Sequence, residues 1–372
     1  MERVNLCFAF LGNPNTDSRI TNIYESLIKL NKKVRVIGFN WYGKRYDVLP
    51  DWTVFEIARR PAFFFYLKST AKLFLKLLNV TADIYVAEDV YTLPVVTIIA
   101  KGRGKKLYYN SREFYTSIGG LAEKSSVQKL IAAIEKFFIR YVDVVTVTGE
   151  MDKEFIRKLY HPKEIIVIRN IPRKTDVKSE EIIDLRQRFN IPEKSVILIY
   201  QGMLQKGRGI YQSIEAVKKI NNAALILIGY GPDEKKIKNL IEENNLQDKV
   251  FLTGAIEHKK LLQYTAAADI GLTLIENIST SYYYALPNKL FEYLNAGLCV
   301  LASPLPQMKH IVEKYRVGEI VEPENSEELT GAIIKLANNR ELLNQYKTNA
   351  LSSREELNWE NEFKKVEKYF IA

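Results

Sequence analysis

Short continuous apolar runs alternate with segments of helical spacing along the chain. In its first part, the runs at 4–11, 34–39, 84–87, 106–109, 144–148 and 165–168 predict strands, with helices at 19–30, 93–101, 127–141 and 152–160. After "RNIP" at 169–172 and the polar stretch "RKTDVKSEE" the alternation restarts. Strands are expected at 195–201, 223–228, 250–253, 270–274 and 299–302, and helices at 210–220, 233–244, 259–266, 288–296 and 327–337. Buried strands separated by helices require a parallel sheet covered on both faces, so two doubly wound α/β domains are expected, 1–172 and 173–355. The last segment, "NWENEFKKVEKYF", spaces Trp359, Phe363, Val366 and Phe370 as a helix and needs another surface to bury them.

The composition narrows the class without choosing a function. With 372 residues, 47% hydrophobic and 26% charged, the chain has the balance of a globular protein with large cores. No apolar run has the length of a membrane span, and "MERVNLCFAF" lacks a signal-peptide layout, so a cytoplasmic protein is expected. Cys7 and Cys299 lie in apolar strand-like segments far apart and read as buried free thiols. The net charge of +10 is uneven: the first 200 residues hold 33 Lys and Arg against 22 acidic residues, the remainder 21 against 22. A basic half fits a membrane surface, a nucleic acid or an acidic substrate, but no nucleic-acid-binding motif accompanies it.

Ligands of open parallel sheets sit beyond the carboxyl ends of the strands, where glycine turns lead into helices. "QGMLQKGRGI" offers Gly202, Gly207 and Gly209 with Arg208 as a forked cation, and "LIGYGPDE" offers Gly229 and Gly231. In "YYYALPNKLFEYLNAGLCVLAS", Pro287 and Asn288 start a helix that Gly297 ends. On it Lys289 and Glu292 share a face. The helix dipole opposes a lysine in the first turn, so the pair reads either as a nucleotide site or as a surface ion pair.

These segments, with "VFLTGAIEHKKLLQYTAAADIGL", "ADIYVAEDVYTLPVV" and "LYYNSREFY", resemble the retaining glycosyltransferases of family four, which have the GT-B fold. The resemblance implies two Rossmann-like domains facing a cleft, with a nucleotide-sugar donor on the second and the acceptor on the first. It also implies a C-terminal helix, 356–372, that crosses back to the first domain. Carried over by position, Arg208 faces the donor diphosphate and Glu292 the ribose; Lys289, at the same helix start, is a further phosphate candidate, and Gly202, Gly229, Gly231 and Tyr284 are donor-site candidates. Asn15, Asp17, Arg19 and Asp89 become acceptor-side candidates; Asp17 also reads as the N-cap of the helix after it. Arg112 and Glu113 are candidates at the reacting centre. Three positions differ from many relatives: Tyr284 replaces a glutamate, Met203 an arginine, and Arg112 a histidine that an always-charged guanidinium cannot replace as a base.

The chemistry expected is metal-independent, front-face transfer with retention from a nucleoside-diphosphate sugar. No Asp-x-Asp pair occurs, and the leaving diphosphate is left to Arg208, Lys289 and backbone N–H groups. Tyr282, Tyr283 and Tyr284 read as sugar-stacking faces or as buried aromatics. The stretch 59–78 has no acidic residue; it sets Lys68, Lys72 and Lys76 on one face and Phe64, Leu67, Ala71, Phe74 and Leu78 on another. Such a helix either lies in a membrane interface or packs on a core. Together these features lead to a peripheral enzyme of the inner membrane face that extends a lipid-linked saccharide for a bacterial surface polysaccharide, with no nucleic-acid partner and no cofactor. The alternative is a GT-B sugar-nucleotide-binding subunit or a sugar-nucleotide epimerase.

Overall fold

The computed structural model describes residues 2–41, 47–59, 61–112, 114 and 125–371. The chain forms two compact units, 1–170 with 359–372, and 171–358.

Unit 1 is built on strands β1 (Glu2–Ala9), β2 (Val34–Asn40), β3 (Trp52–Glu56), β4 (Val80–Ala87), β5 (Lys106–Asn110), β6 (Val144–Val147) and β7 (Ile165–Val167). They pair in parallel in the order β3-β2-β1-β4-β5-β6-β7. Its helices are α1 (Ser18–Lys29), α2 (Ala62–Leu78), α3 (Leu93–Gly102), α4 (Ser125–Phe138) and α5 (Glu150–Tyr160).

Unit 2 has β8 (Val196–Gln201), β9 (Ala223–Ile228), β10 (Val250–Gly254), β11 (Ile270–Thr273), β12 (Cys299–Ala302) and β13 (Gly318–Ile320), ordered β10-β9-β8-β11-β12-β13, again all parallel. Its helices are α6 (Leu185–Phe189), α7 (Ile210–Lys218), α8 (Glu234–Glu243), α9 (His258–Thr265), α10 (Thr280–Tyr283), α11 (Asn288–Ala296), α12 (Pro306–Tyr315), α13 (Ser326–Asn338) and α14 (Arg340–Ser353). The chain returns to unit 1 as α15 (Trp359–Val366) and α16 (Lys368–Ile371).

Strand order reverses between β1 and β4 in unit 1 and between β8 and β11 in unit 2, and such switch points open a crevice at the carboxyl ends of the strands. The period of two along each strand sorts the cores. Val196, Leu198 and Tyr200 pack with α7, α8 and α13 on one face of the second sheet. Ile197 and Ile199 pack with α11 and α12 on the other.

In unit 1, Leu6, Phe8, Val34 and Val36 pack with α1 and with Trp359, Phe363, Val366 and Phe370. The predicted C-terminal helix therefore buries its apolar stripe on the first sheet. It is held there by polar bonds as well. Trp359 Nε1 donates to Ser26 Oγ at 2.8 Å, and Glu362, 2% exposed, accepts from the Arg169 backbone N–H at 2.9 Å, from Nε at 3.0 Å and from Nη2 at 2.7 Å. Cys7 and Cys299 are buried, and neither forms a disulfide.

Candidate functional site

In unit 2 the predicted donor residues converge on the β8/β11 switch point. After β8 the chain turns at Gly202, with φ +136°, and runs against the loop after β9. Leu204 N–H donates to Tyr230 O at 2.9 Å, and Gly202 N–H to Ile228 O at 2.9 Å. A Cβ on Gly229, φ +140°, would collide with the Gly202 carbonyl, and one on Gly231 with Leu204 O. These two glycines therefore let two loops meet, and loop packing alone accounts for them.

Lys289 lies in the first turn of α11, whose N-cap, Pro287, offers no side-chain bond. Its Nζ sits 3.6 Å from the centre of the Tyr200 ring, beneath the Gly202 turn. Burial, and then Arg208, hold this ammonium well below the ordinary lysine range, with Glu292 pulling the other way. The Arg208 guanidinium lies over Tyr282, 4.8 Å from the ring centre, and Gln205 Nε2 donates to Tyr282 Oη at 3.2 Å. The loops after β8 and β11 are thus joined across the switch point.

One turn along α11, Glu292 Oε2 accepts from Gln201 Nε2, and Gln201 Oε1 accepts from Thr265 Oγ1 at 2.8 Å. Nothing in the sequence singles out Gln201 beyond one signal, a polar residue closing an apolar strand. Tyr284 holds Gln307 through its backbone carbonyl at 2.5 Å, and its ring meets Tyr283 edge-on at 5.1 Å. Met203 is 53% exposed, where many family-four enzymes place an arginine.

In unit 1 the acceptor-side candidates form a charged network, and several are turned inward. Arg112 pairs with Asp17 through Nη1 and with Glu88 through Nη2, and lies 4.7 Å from the Phe10 ring centre. Burial works against its charge, but Asp17 and then Glu88 outweigh it and push the pKa up. Asp17 is the N-cap of α1, taking Ile20 N–H at 2.9 Å on Oδ1, while Oδ2 takes Arg112. It is both cap and ion-pair partner.

Arg19 corrects the expectation of a surface contact. It is 2% exposed, and its guanidinium nitrogens find no hydrogen-bond partner among the described residues. Burial and then Arg112 lower its pKa to about 10, while Glu88, Asp17 and Glu362 oppose them. Asp89 is likewise internal, at 4% exposed, because two backbone groups need it: Leu11 N–H at 2.7 Å and Thr92 N–H at 2.8 Å. Burial raises its pKa to about 6. Asn15 folds back on Asn13, donating through Nδ2 at 2.9 Å. Glu113 lies outside the described residues.

Helix α2 settles the two readings of 59–78 at the level of packing. It buries Phe65, Ser69, Leu73 and Leu77, one residue per turn, and exposes Phe64 (52%), Leu67 (55%), Phe74 (36%), Leu75 (61%) and Leu78 (40%). The stripe 64/67/71/74/78 therefore faces away from the core, with Lys68 and Lys72 exposed on its flank. Among the described residues no helix is long and apolar enough to cross a membrane, and no group of three or more His, Cys, Asp or Glu is placed to hold a metal ion.

Comparison with known proteins agrees with this geometry. The profile of the family described as glycosyl transferases group 1 matches residues 181–353, the stretch holding Arg208, Lys289 and Glu292. An uncharacterized glycosyltransferase of Methanocaldococcus jannaschii is 27% identical over 248 residues, 64% of this chain and 60% of its own length. A lipopolysaccharide core biosynthesis glycosyltransferase of Rhizobium meliloti is 28% identical over 167 residues, 45% of either chain. Each alignment thus spans less than two thirds of the relative's length.

Among solved structures, sucrose-phosphate synthase from Thermosynechococcus elongatus superposes with a TM-score of 0.79 at 18% identity, covering 100% of this chain and 98% of its own. The Anabaena protein HepE in complex with UDP gives 0.75 at 15%, covering 99% of each. Residues 181–353 therefore match the glycosyl transferases group 1 family, in a chain with the GT-B fold.

Proposed function

We propose that the protein is a retaining glycosyltransferase that moves a sugar from a nucleoside-diphosphate sugar, bound by unit 2, to a saccharide on a lipid carrier, bound by unit 1. The observation that carries this reading is the convergence of Arg208, Lys289 and Glu292 on the β8/β11 switch point, inside the matched family domain. The UDP complex of the Anabaena neighbour and the lipopolysaccharide role named for the Rhizobium meliloti relative support the donor class and a surface-polysaccharide product.

The residues divide the work by charge. Arg208 and Lys289 are the cations that meet the diphosphate, and they act most strongly on the charge that grows as it leaves. Glu292, oriented by Gln201, accepts from the ribose hydroxyls. The bond from the anomeric carbon to the diphosphate breaks, and the bond to the acceptor oxygen forms on the same face. The acceptor's proton passes to the departing phosphate, so neither a protein nucleophile nor a metal is called for.

The exposed apolar stripe of α2 and its lysines support a carrier held in an anionic membrane surface, at its cytoplasmic face. Met203 and Tyr284 favour the second reading, a subunit that binds sugar nucleotides without transferring sugar, or an epimerase.

The test is thermal stability with UDP, GDP, ADP and CMP. Saturation at about a hundred times Kd adds about 2.7 kcal/mol of stability. One nucleotide that shifts the wild type and fails to shift Glu292→Ala supports the donor site; no shift with any of them refutes it. Turnover of the matching sugar nucleotide that survives EDTA supports metal-free transfer, and binding without turnover on any acceptor selects the second reading.

A further inference from the structure

Beside the acceptor network, unit 1 has an apolar pocket of about 410 Å³. Its walls are α2, α3 and α4, represented by Leu73, Val95, Ile131 and Ile134, with Leu11 also in the lining. Two of the hydroxyls in the lining, those of Ser69 and Thr92, are committed to the protein. Ser69 donates to Phe65 O at 2.8 Å, and Thr92 Oγ1 to Ala9 O at 3.2 Å. The lining therefore selects for hydrocarbon and offers few groups to orient a polar ligand.

Two features assign the occupant. Leu11 lines the pocket and begins the loop that carries Asn15 and Asp17, so whatever fills the pocket lies beside the carboxyl edge of the first sheet. At the outer rim, Val127 is 43% and Leu130 61% exposed, and Thr70 is also exposed. Helices α2 and α4 carry Lys68, Lys72, Lys76, Lys129 and Lys136. The one acidic residue in either helix, Glu135, is 2% exposed and accepts from Tyr109 and Tyr160. A hydrocarbon pocket between two helices whose exposed charges are all lysines complements an anionic amphiphile.

We propose that this pocket receives one hydrocarbon chain of the phosphate-bearing lipid that carries the acceptor. The chain is drawn out of the bilayer so that the headgroup reaches the edge of β1 and β4. The proposal rests on the reading of unit 1 as the acceptor unit.

The experiment titrates the full chain with hexyl, octyl and decyl phosphate, each below its micellar concentration, by calorimetry. Burial of the chain raises affinity by about fourfold per methylene. Thr70→Trp and Val127→Trp, both at exposed rim positions, fill the mouth and are expected to abolish this dependence on chain length. Leu67→Ser with Leu75→Ser is expected to leave it intact while weakening sedimentation with phosphatidylglycerol vesicles.

Equal affinity for hexyl and decyl phosphate in the wild type overturns the proposal. So does a length dependence that survives both tryptophan variants, or one that disappears with the α2 surface stripe. Nucleoside-diphosphate stabilisation is measured on the same samples. Its loss with intact alkyl binding counts against the donor reading, and the converse counts against the pocket.

Discussion

Replacing Arg103 is expected to loosen α2 and with it much of unit 1. Its guanidinium gathers the carboxyl end of that helix: Nη1 donates to Leu77 O at 3.1 Å and to Val80 O, and Nη2 to Leu78 O at 2.8 Å. Nη1 also lies 2.7 Å from Tyr85 Oη, which itself donates to Val80 O at 2.8 Å. In Arg103→Met the methylenes are largely kept, while three carbonyl partners and one charge at the negative end of the helix are lost. At about 1 kcal/mol for each of the three partly solvated bonds, the charge included, the loss comes to about 3 kcal/mol.

The chain's three tryptophans, Trp41, Trp52 and Trp359, all lie in unit 1, so urea unfolding followed by tryptophan fluorescence reads that unit alone. With a slope of about 2 kcal/mol per molar urea, the midpoint is expected to fall by about 1.5 M. Arg103→Lys keeps the charge but not the planar fork, so it is expected to fall between. A shift under about 0.3 M for Arg103→Met would refute the assignment of Arg103 as the clamp of α2.

Glu362→Gln removes the charge from the bonds to Arg169 and is expected to cost unit 1 about 2–3 kcal/mol. Those bonds hold the Glu362 carboxyl below its usual range against burial, so its contribution is present above the unfolded pKa and lost as pH falls through the folded value. Urea midpoints at pH 7 and pH 3 should therefore differ less in the variant than in the wild type; an equal difference refutes the linkage.

Diphosphate binding at Lys289 should restore its depressed pKa. Proton uptake is then expected, read as a dependence of the calorimetric enthalpy on the buffer's ionisation enthalpy and lost in Lys289→Met; affinity should weaken as pH rises through the free-state pKa. Gly229→Ala puts a methyl into the Gly202 carbonyl at φ +140° and is expected to lower the melting temperature of unit 2 and remove nucleotide stabilisation; a wild-type response refutes the loop-contact role.

The sequence made visible those elements whose pattern has one solution. Strands β9 and β12 and helix α11 match their expected limits because each is apolar throughout or capped by proline and glycine. Strands β3 and β13 escaped notice: each is short, lies at a sheet edge and is only partly buried along most of its length. Helix α14 buries only Leu343, Ala350 and Ser353, too few for periodicity to register. In α2 both faces are apolar, so spacing could not tell which one the core takes.

The site divides in the same way. That Arg208, Lys289 and Glu292 lie together was legible because one helix and one loop carry them. The burial of Arg19 was not legible, since Asp17, Glu88, Arg112 and Glu362, whose charges act on it, come from segments up to 343 positions away. Asp89 reads as a site residue until the two amide groups it serves are known.

The return of the chain to unit 1 at Trp359 makes that unit discontinuous. During synthesis unit 2 is complete before α15 and α16 exist, so the first sheet must wait on the ribosome with one face short of Trp359, Phe363, Val366 and Phe370. Unit 2 can finish folding while its neighbour is still open. A truncation just before Trp359 would therefore strike the amino-terminal unit, leaving a chain whose second unit is sound and whose first cannot close.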